Sequence, residues 1–145
     1  MGVISVDYGA LVRNSKRADD HAALFYERAR NSKDYLNVSK NTGFSIEQTQ
    51  AIQNYLFKDY HYLNGNTISV RFEPCYEIAE SWRRLSERSG IHIEKHDIVL
   101  LQHELTEIKL LLSNSRMSQS EAHSIASKMF PYDILSEKYY KDKRK

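Results

Sequence analysis

Apolar positions along this chain recur mainly at three- and four-residue spacing, the periodicity of helices that bury one face. Ala18, Ala22, Phe25 and Ala29 mark an amphipathic helix from Ser15 to about Val38, and Asn41-Thr42-Gly43 then breaks it. Ser45 and Gln48 form a capping box for a second helix, whose stripe of Ile52, Tyr55 and Leu56 runs to about Phe57. A third helix is predicted from Glu77 to about Arg88, with Ile78, Trp82 and Leu85 inward and Glu80 paired with Arg84 on the other side. Ser89-Gly90 stops it. The longest pattern runs from Asp97, suited to capping the first turn, to Leu112. Ser113-Asn114-Ser115 interrupts it, and a capping box of Ser118 and Glu121 opens a short helix bearing Ala122, Ile125, Ala126 and Met129, which Pro131 ends. These last two helices predict an antiparallel hairpin.

Period-two alternation is rarer. Val3, Ile4 and Val6 predict a short edge strand or ordered arm within residues 1–12. The turn chemistry of His61 to Asn66 leads into Thr67 to Phe72, where Ile68, Val70 and Phe72 alternate until Pro74. The expected architecture is mainly α: about five helices, one small β hairpin or strand, and a helix hairpin near the C-terminus. Three segments are expected: an N-terminal arm and amphipathic helix over 1–42, a main unit over 43–137, and a basic tail over 138–145.

Composition narrows the classes. The chain has 145 residues, which fits one domain with one core, and its five Gly and two Pro argue against a turn-dense sandwich or barrel. Ten Tyr, five Phe and one Trp in a chain that is 41% hydrophobic exclude a disordered polymer. No apolar run has the length of a membrane span, and the start MGVISVDYG lacks the features of a signal peptide. Val6 stands where a myristoylation pattern wants Ser or Thr. No membrane partner is expected, and the lone Cys75 fits a reducing compartment. The net charge of +2 divides into +4 over Lys138 to Lys145, with five basic residues and one acidic, and −2 elsewhere. Such a tail reaches phosphates or is merely a solvated end.

Candidate chemistry centres on the longest helix. At about 100° per residue, Ile98, Leu101, Leu105, Ile108 and Leu112 form one apolar seam, with His96, His103 and Glu107 almost opposite. Leu100, Leu110 and Leu111 flank that opposite side, so His103 and Glu107 are expected to be at least partly covered. Glu104 lies about 70° from the seam's centre, an awkward place for a carboxylate unless something pairs, protonates or ligates it. His103 and Glu107 at i, i+4 suit a divalent metal, with His123 as third ligand and Glu104 as general base; His-Glu-x-x-Glu lacks the second histidine of the zincin pattern. Alternatively, His103 and the carboxylates pass protons without metal, with His61 as second proton carrier and Arg71 steadying a phosphate.

Each residue also has a plainer reading. The histidines serve as hydrogen-bonded packing residues, Trp82 as core, and Tyr62, Tyr139 and Tyr140 as surface or packing residues. Arg83-Arg84 reads as a solvated helix face, and Arg71 as the partner of a nearby glutamate. A non-catalytic helical interaction module then replaces the enzyme.

An ordered series of blocks bears on this choice. Gly43-Phe44-Ser45, Leu56-Phe57, His61, Arg71-Phe72-Glu73-Pro74, Ile78 to Leu85, His96-Asp97-Ile98, Leu101 to Glu104, Glu107, Met117-Ser118 and Glu121-Ala122-His123 together resemble a C-terminal domain of polymorphic-toxin and phage-associated proteins of Gram-positive bacteria. The resemblance spans about 43–135. It implies a small toxin-type nuclease cleaving RNA or DNA by His/Glu acid-base chemistry, with His61, Arg71, His103, Glu104, Glu107 and His123 as site residues and no cofactor required. It further implies a cytoplasmic site of action, an open delivery route and a possible immunity protein as partner. Cys75 departs from the pattern, which has an acid after the proline, and the segment from Ser86 to Lys95 is longer.

Overall fold

A computed structural model of the chain describes residues 15–63 and 67–143. Seven α-helices make up most of this: α1 (Lys16–Arg30), α2 (Asp34–Thr42), α3 (Ile46–Gln53), α4 (Tyr76–Ser86), α5 (Lys95–Ser113), α6 (Gln119–Met129) and α7 (Tyr132–Lys143). Local chemistry fixes many of their ends. Ser15, Ser45 and Ser118 accept from the third residue of the helices they open, and the expected boxes of Ser45 with Gln48 and Ser118 with Glu121 are both closed. Gly43 ends α2 in the left-handed region at φ 84°, which a side chain would strain.

The helix expected over Ser15 to Val38 is two helices. Ser32 makes the corner: its hydroxyl donates to the Ala29 carbonyl and accepts from the Asp34 N–H. Buried Gln53 completes it, donating to the carbonyls of Ala29 and Ser32 and accepting from the Tyr35 N–H at 2.8 Å. α4 stops at Ser86 because Asn37 and Asn41 of α2 donate to the carbonyls of Leu85, Ser86 and Glu87. After α3 the chain widens into a π turn over Asn54–Lys58, closed by Asp59 N–H donating to the Asn54 carbonyl at 2.7 Å. Tyr55, Leu56 and Phe57 are all buried there.

Trp82 on α4 is fully buried near the middle of the core, edge-on to Phe57, with its indole N–H donating to Asp34. One apolar cluster joins Ala18, Phe25 and Val38 from α1 and α2 to Leu56, Leu85 and Leu101, so it crosses the 42/43 boundary expected in the sequence. The expected tail begins inside α7, where Tyr140 is buried; Tyr132 docks that helix by donating to the Glu77 carbonyl and sharing a 2.8 Å bond with Ser81. Tyr62 is exposed.

α5 differs most from expectation. It opens at Glu94, and Asp97 is the third residue of a capping box, accepting from the Glu94 N–H. Its buried residues are His96, Asp97, Leu100, Leu101, His103, Glu104 and Glu107, an arc rotated by roughly 100° from the apolar seam. Ile98, Leu105 and Ile108 are half-buried and Leu112 is 83% exposed. The rotation has a cause: α5 packs against α3, α4, α6 and α7, and buried partners compensate the polar side. Arg84 is one such partner, correcting its solvated reading. It forms a two-pronged ion pair with Asp97 at 2.8 and 2.9 Å, while Glu80 pairs with His21 and Arg83 instead. On α6, Ala122 and Ala126 are buried whereas Ile125 and Met129 are exposed.

No strand occurs among the described residues. His61 and Val70 exchange two backbone hydrogen bonds of 2.7 and 2.8 Å as an isolated bridge, and Ile68 is exposed. A two-stranded pair with no third strand and no covered face lacks the burial to extend. The arm expected over 1–12 and the turn residues Asn64 to Asn66 lie outside the described residues. Among the described residues, no helix is long and apolar enough to cross a membrane.

Candidate functional site

α5 presents His103, Glu104 and Glu107 toward α6, which folds back across it and delivers His123. His103 Nε2, Glu107 Oε2 and His123 Nδ1 form a triangle with sides of 2.6, 2.8 and 3.2 Å. The helical repeat explains the first pair, since residues four apart stack on one face. His123 completes the set because α6 is anchored by its Ser118 cap and seated on Ala122 and Ala126, whose small side chains allow close approach.

Each of the three groups is held from its far side. His103 Nδ1–H donates to the Phe130 carbonyl at 3.1 Å, which leaves Nε2 facing the triangle. Tyr55 O–H and Gln119 Nε2–H donate to Glu107 Oε1 at 2.6 and 3.2 Å, which leaves Oε2 for the histidines. His123 Nε2 lies 3.4 Å from the Ser127 hydroxyl and 3.9 Å from Asp133. Outer partners that fix tautomer and ring orientation are the usual support of imidazole and carboxylate metal ligands.

Electrostatics separate the two carboxylates. Burial pushes the Glu107 carboxyl up, but hydrogen bonds from His103, His123 and Tyr55 outweigh it and hold it at about 2. Glu104 is pushed well above the usual carboxylate range by burial and by neighbouring Glu107. The hydrogen bond to Glu107 raises His123, with partial burial opposing. Glu104 has no hydrogen-bond partner among the described residues, and its Oε2 lies 4.0 Å from His103 Nε2.

The triangle opens onto a cavity of about 280 Å³ that Glu104, Glu107, Gln119 and His123 share with Leu63, Phe72 and Glu73. The loop after α3, the segment before Pro74 and the α5–α6 hairpin therefore converge here, but the two polar residues expected from the first two turn elsewhere. His61 Nε2–H donates to the Tyr55 carbonyl at 2.9 Å, and its ring stacks on Phe72 at 4.0 Å. Arg71 Nε–H donates to the Lys58 carbonyl and the guanidinium lies over the Tyr60 ring, and no glutamate pairs with it among the described residues. Cys75 is half-buried, its thiol pushed up to about 12 by burial, and it is no nucleophile at neutral pH.

Tyr55 and Gln119 are the site residues that pattern reading missed. Tyr55 reads as one more apolar position of its helix. Gln119 carried a usable signal, because it precedes His123 by four residues and so shares its face.

No protein-family model matches the chain, and no curated protein and no solved structure shows a significant likeness to it.

Proposed function

We propose that the protein is a divalent-metal-dependent hydrolase in which His103, Glu107 and His123 hold the cation and Glu104 is the general base. One observation carries this reading: three ligand atoms of the right types face one another within 3.2 Å, each fixed from behind, and two of them, on Glu107 and His123, belong to residues that line the cavity. Two histidines and a carboxylate suit zinc or a similar borderline ion and leave a fourth position toward the cavity for water or substrate. In a tetrahedral site with bonds of about 2.1 Å, donors sit about 3.4 Å apart, so the triangle spreads by less than 1 Å on binding.

Without a cation, protons must do the same work. Both ring nitrogens of His103 are then committed, Nδ1 to the Phe130 carbonyl and Nε2 to Glu107, on a side chain that is 3% exposed. A divalent ion replaces the proton between His103 and Glu107, together with the one between His123 and Glu107, and it balances the buried carboxylate. It also supplies what hydrolysis requires, a polarised acceptor and an acidified water. Glu104 borders the same cavity; burial and Glu107 favour its protonated form, and a divalent cation held at Glu107 would oppose both and free the carboxylate to act as base.

The acid-base nuclease reading needed the His61 and Arg71 side chains beside His103, and both are engaged elsewhere. The test is metal content after purification and after reconstitution with zinc. The wild-type chain is expected to retain about one equivalent through gel filtration, and His103→Ala and His123→Ala far less. A folded wild-type chain that retains none defeats the proposal and leaves the triangle as a packing network.

A further inference from the structure

We infer that the bond cleaved at this centre is an uncharged carboxamide beside an apolar side chain, and not a phosphodiester. The inference rests on the metal reading above and adds the substrate class. It comes from what borders the cavity. Tyr26, Leu56, Leu63, Phe72 and Ile78 supply its apolar wall. The polar remainder is three carboxylates, Glu73, Glu104 and Glu107, with Gln119 and His123. Neither Lys nor Arg is among these described residues, although Lys and Arg together number 21 in the chain.

A nucleic acid brings one negative charge per phosphate and is bound through Lys and Arg. Here a phosphodiester meets a cation already flanked by the Glu107 carboxylate, with the exposed Glu73 carboxylate at the rim. Arg71, the nearest arginine in sequence, is held at Lys58 and Tyr60. An amide suffers no such repulsion. The cavity of about 280 Å³ has room for an apolar side chain beside the bond to be cut. Gln119 adds a matching group: its N–H is committed to Glu107, and its carbonyl oxygen has no partner among the described residues, so it can accept a peptide N–H.

The step balances without a further reagent. Water adds to the amide carbon as Glu104 takes one of its protons, forming the C–O bond. The C–N bond then breaks as that proton passes to the leaving nitrogen, giving a carboxylic acid and an amine.

The test uses the zinc-reconstituted full chain, with zinc content measured first so that failure of the metal site is seen separately. The protein is incubated with an unfolded, carboxymethylated polypeptide mixed with RNA and duplex DNA. The expected result is new peptide termini next to apolar residues, with the nucleic acids intact. In parallel, phenylacetohydroxamate is expected to bind at least tenfold more tightly than acetohydroxamate. Phenylphosphonate is expected to gain affinity at least threefold in Glu73→Lys, whose zinc content stays unchanged. A zinc-loaded chain that cuts only RNA or DNA, or cuts nothing, overturns the substrate class. So does one for which the phenyl group gives no gain, or Glu73→Lys no change.

Discussion

α5 carries two buried polar clusters two turns apart. In the first, Arg84 grips Asp97 with two hydrogen bonds, Asp97 also accepts from the Glu94 N–H, and His96 Nε2 lies 3.2 Å from the Arg84 guanidinium. In the second, Glu107 faces His103 and His123. Both place a carboxylate in the interior, yet they differ in where the compensating positive charge resides. Arg84 is a permanent cation built into the chain, and its pairing with Asp97 outweighs the burial that opposes its charge. The second has no Lys or Arg partner among the described residues, only imidazoles, whose protons a metal would replace in the reading proposed above. The first packs Tyr132, Tyr139 and Tyr140 around His96 and meets only a hollow of about 150 Å³, while the second borders one of about 280 Å³. A buried carboxylate thus marks a structural pair when its partner is Arg, and a site when its partners are histidines beside open space.

Breaking the first cluster produces the larger loss. Arg84→Met leaves Asp97 as an uncompensated buried carboxylate and is expected to cost ~3–5 kcal/mol in urea unfolding of the metal-free chain. Next in size is the response to zinc. At a free concentration about 100 times its Kd, zinc is expected to stabilise the wild-type chain by ~2.7 kcal/mol, because it binds the folded triangle and not the open chain. The same addition to His123→Ala is expected to leave the melting temperature unmoved. A wild-type melting temperature indifferent to zinc removes the distinction between the clusters.

Tyr55→Phe sharpens the comparison at smaller scale. The variant keeps the ring that packs on His61 and Phe72 and deletes only the O–H donated to Glu107. Zinc affinity is expected to fall by roughly 10–100-fold, the usual range for an outer-shell partner of a metal ligand. A competition titration against a chromogenic chelator reads this directly, and an unchanged Kd makes Tyr55 a packing residue only.

The two clusters were unequally legible in the sequence. His103, Glu104, Glu107 and His123 stood out because spacing on one helix and a capped hairpin are local facts, which periodicity reports. Arg84 was misread because its partner lies 13 residues away across a corner, where no pattern rule reaches. The burial of α5 was misplaced for the same reason. The wheel ranks faces by hydrophobicity, but an arc holding Asp97, His103 and Glu107 goes inward when partners from the π turn, α4 and α6 compensate it. Ser32 and Gln53 likewise turn the expected single N-terminal helix into two, through bonds from Gln53 that span 18 to 24 residues. The Thr67 to Phe72 alternation was real, but pairing depends on neighbours, and only one bridge formed.

The smallest effect concerns pH and isolates the first cluster. Burial lowers the His96 pKa, with Asp97 opposing and Arg84 reinforcing. Tyr132, Tyr139 and Tyr140 pack around the ring, and Lys95, Lys138 and Asp142 line the hollow beside it. His96 is therefore neutral in the fold at pH values where the unfolded chain has begun to bind a proton. Because the unfolded state holds more protons there, stability rises with pH, and acidification below about 6.5 destabilises until the lower folded pKa is passed. Urea midpoints in the presence of chelator are expected to fall between pH 7.5 and 5.5 by more in the wild-type chain than in His96→Gln, which keeps an acceptor for Arg84 but has nothing to titrate. Equal slopes for the two proteins would show that protons act on the His103 cluster alone, and that the closed cluster does not sense pH.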